Sequence, residues 1–328
     1  MRVLVTGGGG FLGTSICLQL EQLGFEVLAY QRGAAEHFTD HSIHVIQGDI
    51  CDYDALEEAA TGCDAIIHTA GKAGVWGKAE DYYRINVVGT QTVVNVCQDL
   101  SIPVMVHTSS PSIAHGHGDV EGGDESLPVG PPYLAAYPAS KAEAEKLALQ
   151  ANSSQLKTTA LRPHLIWGPG DPHILPRLAS KVRSGRLALP GADKKIDTVF
   201  VENAAYAHVL ALQDLLGDGK SAGKAYFISN DEPLPQGVII KKLLAAINIE
   251  VEIRPVSSRV ARFIGTVCET IWSGLGIKSE PPLTRFSADQ LCTAHWYNIS
   301  AAKRELGYKA RISIDQGLEK LHQSVTAD

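Results

Sequence analysis

The chain has 328 residues, 45% of them hydrophobic, enough to bury the core of one large α/β domain or of one domain with a smaller lobe, and too apolar for intrinsic disorder. A formal net charge of −7 without a long basic run argues against a nucleic-acid partner, and no run approaches the roughly 18 apolar residues of a membrane span. Cys17, Cys51, Cys63, Cys97, Cys268 and Cys292 show no close pairing and read as free thiols of a reducing compartment. The opening MRVLVTG enters a strand at once and leaves no room for a signal peptide, so a cytoplasmic protein is expected.

Val3-Leu4-Val5 is a short β-branched run that ends in glycines, and residues 11–23 then show helical spacing up to Gly24. Val27-Leu28-Ala29, Val45-Ile46, Ala65-Ile66-Ile67 and Val104-Met105-Val106 repeat the strand signal, with helical stretches between them. Continuous apolar strands separated by helices imply a parallel sheet covered on both faces, a doubly wound α/β fold of Rossmann type with right-handed crossovers. A further strand, Thr158-Thr159-Ala160-Leu161, stops at Arg162-Pro163, and Gly168-Pro169-Gly170-Asp171-Pro172 is a turn cluster that ends the regular alternation. The expected division is a cofactor domain over 1–166, rejoined by segments near 195–230, and a smaller substrate lobe over most of 167–328.

Thr6-Gly7-Gly8-Gly9-Gly10-Phe11-Leu12-Gly13 follows the first strand and opens the first helix, the setting that makes a glycine pattern a dinucleotide site. Gly7 suits the tight turn, Gly10 admits the pyrophosphate, and Gly13 permits close packing of helix on strand; the amides of Phe11 and Leu12 face the anion. The second strand ends Tyr30-Gln31-Arg32, with no carboxylate to accept from a ribose 2′-hydroxyl. Arg32 can grip a 2′-phosphate through charged hydrogen bonds, so NADP(H) is favoured over NAD(H); a solvated loop cation is the alternative. Asp49 and Ile50, after the third strand, belong beside the adenine edge, or Asp49 caps the helix over 52–60.

Tyr137-Pro138-Ala139-Ser140-Lys141 starts a strongly helical stretch, and four-residue spacing puts Tyr137 and Lys141 on one face. A tyrosine titrates near 10, and a neighbouring ammonium with an oxidised nicotinamide ring is expected to lower it into the working range. His107-Thr108-Ser109-Ser110 ends a strand at the carboxyl edge of the sheet, where ligands bind, so Ser110 can hold a substrate oxygen against Tyr137 or simply cap its loop.

These motifs, with Asn86-Val87-Val88-Gly89-Thr90 and LRPHLIWGPGD in the same order, resemble the extended short-chain dehydrogenase/reductase family, in the branch of the 3β-hydroxysteroid dehydrogenases. The resemblance implies that Tyr137 is the acid–base and that Lys141 binds the nicotinamide ribose. It implies further that Ser110 polarises the carbonyl, that Asn86 supports the site, and that backbone from Pro163 to Leu165 lies beside the nicotinamide amide. Residues 197–203 and 223–233 resemble sterol-4-carboxylate 3-dehydrogenases, while 167–171, 282–286 and 295–297 are similar to bacterial 2-alkyl-3-oxoalkanoate reductases of olefin biosynthesis. Both relatives imply a ketone or carbinol β to a carboxylate, and therefore a long-chain or sterol-like lipid acid as substrate. Reduction of a 2-alkyl-3-oxoalkanoate is the first expectation.

For the substrate, Ser112, His164, Arg177 and Arg285 are candidates, the last three as cations for a carboxylate. The His115-Gly116-His117-Gly118-Asp119 loop invites a metal, which this hydride chemistry does not need; no metal is expected. Residues 260–277 carry an apolar stripe that fits a lid, a partner-enzyme or membrane-surface contact, or core packing. The family resemblance also implies a homodimer through helices over 79–99 and 135–151. A sugar-nucleotide epimerase or dehydratase with bound NAD⁺, and an NADP(H)-sensing scaffold without chemistry, are the competing readings.

Overall fold

A computed structural model describes the chain apart from Ala35, His115, Gly116, His117, Arg186 and Asp328. Seven strands form one parallel sheet: β1 (Arg2–Thr6), β2 (Glu26–Gln31), β3 (Ile43–Gln47), β4 (Ala65–His68), β5 (Val104–Thr108), β6 (Lys157–Pro163) and β7 (Ala225–Ile228). Their order across the sheet is β3–β2–β1–β4–β5–β6–β7. The chain therefore grows outward in one direction to β3, returns, and grows in the other from β4. That reversal opens a crevice between the carboxyl ends of β1 and β4, the place where doubly wound sheets bind ligands.

Alternate residues of each strand feed opposite faces. Val3 and Val5 join one core with Ile16 and Leu20 of α1 (Phe11–Gln22). Leu4 points into the other, among Leu56 of α2 (Tyr53–Ala60), Val93 of α3 (Gly89–Asp99) and Ala148 of α4 (Ala136–Gln150). Helix α5 (Val201–Leu216) lies on the first face with α1, contributing Ala204, Ala207 and Leu212.

The helix expected over 79–99 is not continuous. An α-helical turn at Ala79–Tyr82 passes into a π-helix at Tyr83–Val88 before α3 begins. A π turn holds one residue more than an α turn, and such irregularities occur at functional sites.

The smaller lobe has a sheet of four short strands: Leu234–Pro235, Lys195–Ile196, His295–Tyr297 and Val120–Gly123, in that order. Trp167, Phe200, Ile239, Leu243 and Leu321 form a separate core there. Two further helices, α6 (Ser258–Gly274) and α7 (Arg285–Cys292), pack on each other at its outer side. Core packing, one of the roles open to the apolar stripe, does not hold for most of it: Phe263, Ile264, Val267, Ile271 and Leu275 are exposed. No described helix is long and apolar enough to cross a membrane.

Candidate active site

The glycine turn needs its glycines for two distinct reasons. Gly7 has φ +72°, in the left-handed region, and a Cβ there would lie 2.8 Å from the Ala70 amide nitrogen. A Cβ on Gly13 would lie 2.1 Å from the Gly7 carbonyl oxygen, so any side chain would push α1 off the turn. Gly10 caps α1 without a side-chain hydrogen bond. The first helical bond runs from the Thr14 amide to the Gly10 oxygen (2.8 Å), leaving the amides of Phe11, Leu12 and Gly13 outside that ladder.

Beside this turn, Gln31 Oε1 is buried without a partner, while its Nε2 donates to the Gly33 carbonyl (3.0 Å). Arg32 next to it is exposed, with no ion pair among the described residues. An uncapped helix start and an orphaned acceptor fit the pyrophosphate and ribose of a dinucleotide. Asp49 accepts from the Cys51 amide (3.0 Å) and pairs with Arg84 (3.1 Å), and these contacts hold its carboxyl below the usual range. The cap of α2 is Asp52, which accepts from the Ala55 amide (3.2 Å); that alternative for Asp49 is therefore corrected. Asp49 and Arg84 line a cleft of about 460 Å³ with Asp52 and Tyr53. Ile50 turns inward instead, buried beneath Gly89.

At the other end of the crevice, β5 delivers Ser110, whose Oγ lies 2.9 Å from Ser112 Oγ. Tyr137 stands in the first turn of α4, with Ser110 beside its ring hydroxyl. Lys141, one turn on and buried, donates from Nζ to the Thr108 carbonyl. Asn86, presented by the π-helix, donates from Nδ2 to Ser140 Oγ (2.8 Å) and accepts from the Lys72 amide (2.7 Å). It reaches α4 through Ser140, whose hydroxyl also donates to the Tyr137 carbonyl (2.9 Å). Pro163 ends β6, and Leu165 follows with φ +45°, a left-handed backbone rare for a branched residue.

The electrostatics depart from the expected lowering of the tyrosine. Burial raises the Tyr137 pKa above its ordinary value, with the Ser110 hydrogen bond opposing. Lys141 Nζ donates to the Thr108 carbonyl, and burial brings its pKa down to about 8, against the opposing pull of Glu145.

Several supporting residues escaped the sequence reading. Glu145, a turn beyond Lys141, forms a buried two-point pair with Arg162 of β6 (2.8 and 2.6 Å), tying α4 to the sheet. The repeat of Tyr137, Lys141 and Glu145 at four-residue intervals was the available signal. Tyr82 lies edge-on to Tyr137, ring centroids 6.5 Å apart. Behind Lys141, His68 sits between Thr6 (2.7 Å) and Thr90 (3.0 Å), and His107 is fully buried with neither ring nitrogen partnered.

The substrate candidates separate. His164 is buried in the lobe, bonded to Asp197 (2.6 Å) and His295 (3.1 Å), which corrects its assignment as a free cation for a carboxylate. Arg177 pairs with Glu280 (2.7 Å) and Arg285 with Glu269 (2.8 Å). Arg285 lines a cavity of about 420 Å³ with Arg262, Thr266, Asp289, Leu134 and Gly118. Leu134 stands three residues before Tyr137. His115 and His117, in the loop that invites a metal though none is expected, lie outside the described residues, and Asp119 pairs with Lys194 (2.5 Å). The described residues include no group of side chains arranged to hold a metal.

Sheet order, glycine turn and the Ser110–Tyr137–Lys141 set together define an oxidoreductase of the short-chain dehydrogenase/reductase fold. More narrowly, the chain belongs to the 3-beta hydroxysteroid dehydrogenase/isomerase family, whose pattern matches residues 4–253. It is 45% identical over 330 residues to a 2-alkyl-3-oxoalkanoate reductase of Stenotrophomonas maltophilia, covering 100% of both chains. It is 29% identical to the decarboxylating sterol-4-alpha-carboxylate 3-dehydrogenase of Mus musculus, over 98% of this chain and 90% of that one. The fold matches a UDP-glucuronic acid 4-epimerase from Bacillus cereus in complex with NAD, with TM-score 0.75, 19% identity, and coverage of 100% of this chain and 99% of that one.

Proposed function

We propose that the protein reduces the ketone of a 2-alkyl-3-oxoalkanoate to the secondary alcohol with NADPH. The observation that carries this reading is geometric: Tyr137 and Lys141 stand one turn apart on α4, and Ser110, just past the end of β5, lies beside the tyrosine. The 45% identity to a full-length relative of that activity supports the substrate class. Arg32 in place of a carboxylate supports the phosphorylated cofactor.

When bound, the nicotinamide supplies the hydride. Ser110 and Tyr137 donate hydrogen bonds to the ketone oxygen, stabilising the charge that grows there, and Tyr137 then gives up its proton. Lys141 would hold the ribose of the bound cofactor, and its ammonium is the nearby positive charge that eases loss of that proton. Asn86 and Ser140 fix the turn of helix that carries Tyr137. Arg285 and Arg262, lining the cavity beside Leu134, offer charge to the substrate carboxylate.

We further read the chain as cytoplasmic, divided near residue 166 except that Val120–Gly123 joins the sheet of the smaller lobe, acting in olefin biosynthesis, and dimeric through the 79–99 and 135–151 segments. Tyr83 and Val88, exposed on the first of these, support the dimer. Oxidation of NADPH and of NADH, measured against a 2-alkyl-3-oxo acid, a 3-ketosteroid and a UDP-sugar, tests the assignment. Turnover of the ketosteroid alone points to the sterol activity instead. Stoichiometric NAD⁺ in the purified protein, with turnover of the sugar, overturns the reading.

A further inference from the structure

We infer that the outward face of α6 is a docking surface for an anionic lipid bilayer. Val260, Phe263, Ile264, Val267, Ile271 and Leu275 are 39–71% exposed, and they make up six of the fourteen exposed large hydrophobics among the described residues. Intervals of three, four and seven residues bring them onto one helix face, so this is a patch and not scatter. The opposite side of the helix is already used. Ala261 and Gly265 are buried there, and a Cβ on Gly265 would lie 2.9 Å from the Thr284 carbonyl oxygen of the segment leading into α7. α6 is thus anchored by its underside and turns its apolar side away from its own protein.

Charge selects the occupant. Between residues 252 and 280 stand four cations, Arg254, Arg259, Arg262 and Lys278, all exposed, against three acids: Glu252, Glu280, which is taken up by Arg177, and Glu269. The last is half-buried and holds Arg285 (2.8 Å). Arg254, Arg259 and Lys278 have no ion pair among the described residues, in a chain whose net charge is −7. An apolar helix face bordered by unpaired cations matches the boundary of an anionic leaflet. A second copy docked face to face would bring the same cations together and be repelled.

The surface is continuous with the catalytic cleft. Trp76 Nε1 donates to the Ile277 carbonyl just past α6 (3.4 Å), and Tyr82 donates to the Trp76 carbonyl (3.1 Å). The Tyr82 ring stands 6.5 Å from that of Tyr137. On the inner, polar side of the same helix, Arg262 and Thr266 line the cavity beside Leu134. A bilayer against α6 therefore lies at the mouth of the site, where an apolar substrate can enter without crossing bulk water. The inference goes beyond the proposed reaction and holds whichever ketone is reduced.

The test is co-sedimentation of the full chain with vesicles of phosphatidylcholine alone and of phosphatidylcholine mixed with phosphatidylglycerol. Salt-sensitive binding to the mixed vesicles is expected, with little to the neutral ones. Phe263→Glu with Ile271→Glu should cut binding at least about tenfold, through lost apolar burial on a face that does not support the fold. Unchanged melting and unchanged turnover of a short, water-soluble ketone would show that these exposed positions leave the protein intact. Replacing Arg254, Arg259 and Lys278 by Ala should weaken anionic binding about fivefold per cation. Quenching of tryptophan fluorescence by brominated phosphatidylglycerol reads the same contact in the unaltered protein. The inference is overturned by absence of binding and quenching, by binding that the double variant retains, or by a doubly substituted chain that turns from oligomer to monomer while the wild type ignores vesicles. That last result would give the face to a second copy.

Discussion

The two walls of the catalytic cleft hold their charges in opposite ways. On the sheet side Lys141 is buried, Glu145 and Arg162 form a two-point pair with 5% of each side chain exposed, and the imidazoles behind them are sealed from water. On the lobe side the pairs Arg177–Glu280, Arg285–Glu269 and Arg262–Asp289 lie at the surface with at least one partner well exposed. A buried pair tolerates no loss of one partner, because the other is left as an uncompensated charge, whereas a solvated pair contributes little. On the proposed function, the chemistry is thus fixed on a wall that resists change, and substrate choice falls to a wall where substitutions cost little.

The largest effect expected is on the rigid wall. Tyr137→Phe should lower the reductive rate about 10³-fold, the loss of a general acid, while NADPH binding followed by cofactor fluorescence stays near wild type. Retained turnover would remove Tyr137 from the chemistry.

The contrast between walls is tested directly by two truncations. Glu145→Ala, which strands Arg162, should cost about 3–5 kcal/mol of stability. Glu269→Ala, which frees Arg285, should cost under about 1 kcal/mol. Denaturant midpoints compare them, and equal losses would erase the distinction.

Next comes pH. Burial disfavours the Lys141 ammonium, so its pKa of about 8 lies below the ordinary lysine value, and the charge is present below that pH and lost above it. The reductive rate should be level up to about pH 8 and fall beyond it. Stability should not fall with it, since over that range the unfolded chain binds the extra proton and rising pH favours the folded state. At the acid end the sign is shared by three histidines. Burial lowers His68 to about 3 and His208 to about 4, and puts His107 far below its ordinary range. Below about pH 6.5 the unfolded chain takes up these protons first, and the melting temperature should drop as the pH falls.

The smallest effects belong to the pliant wall and the cofactor rim. Arg285→Ala should raise KM for a carboxylate-bearing ketone about tenfold and leave a ketone without the carboxylate unchanged. Arg32→Ala should raise KM for NADPH by about the same factor and spare NADH. Both are read from steady-state kinetics.

Much of the sheet wall was legible in the chain because its signals are local. The strand–glycine–helix run from Val3 to Gly13, and the four-residue step from Tyr137 to Lys141, each lie within one turn or one unit of structure. The lobe was not. Ile196 pairs with His295 and Leu234, in strands of two or three residues that carry no period of their own, and only the folded chain brings them together. His164 looked available for a substrate because Asp197 and His295, its partners, are far along the sequence. The direction of the α6 stripe was equally hidden, since periodicity shows that a helix has an apolar face and not what that face meets. The rise of the tyrosine pKa in the protein alone was hidden as well, because helix spacing fixes which side chains are neighbours and not how deeply they are buried.

The π-helix at Tyr83–Val88 gives one segment two addresses. Arg84 faces Asp49 in the cleft beyond β3 (3.1 Å), and two residues later Asn86 faces Ser140 in the helix turn that carries Tyr137 (2.8 Å). The extra residue in the turn sets the phase between them, as an inserted tooth sets the timing of two gears. Deleting one residue here would restore a regular helix and rotate everything before the deletion by about 100° relative to α3. Such a chain would keep its sheet and much of its stability. It would no longer be able to serve both ends of the crevice at once.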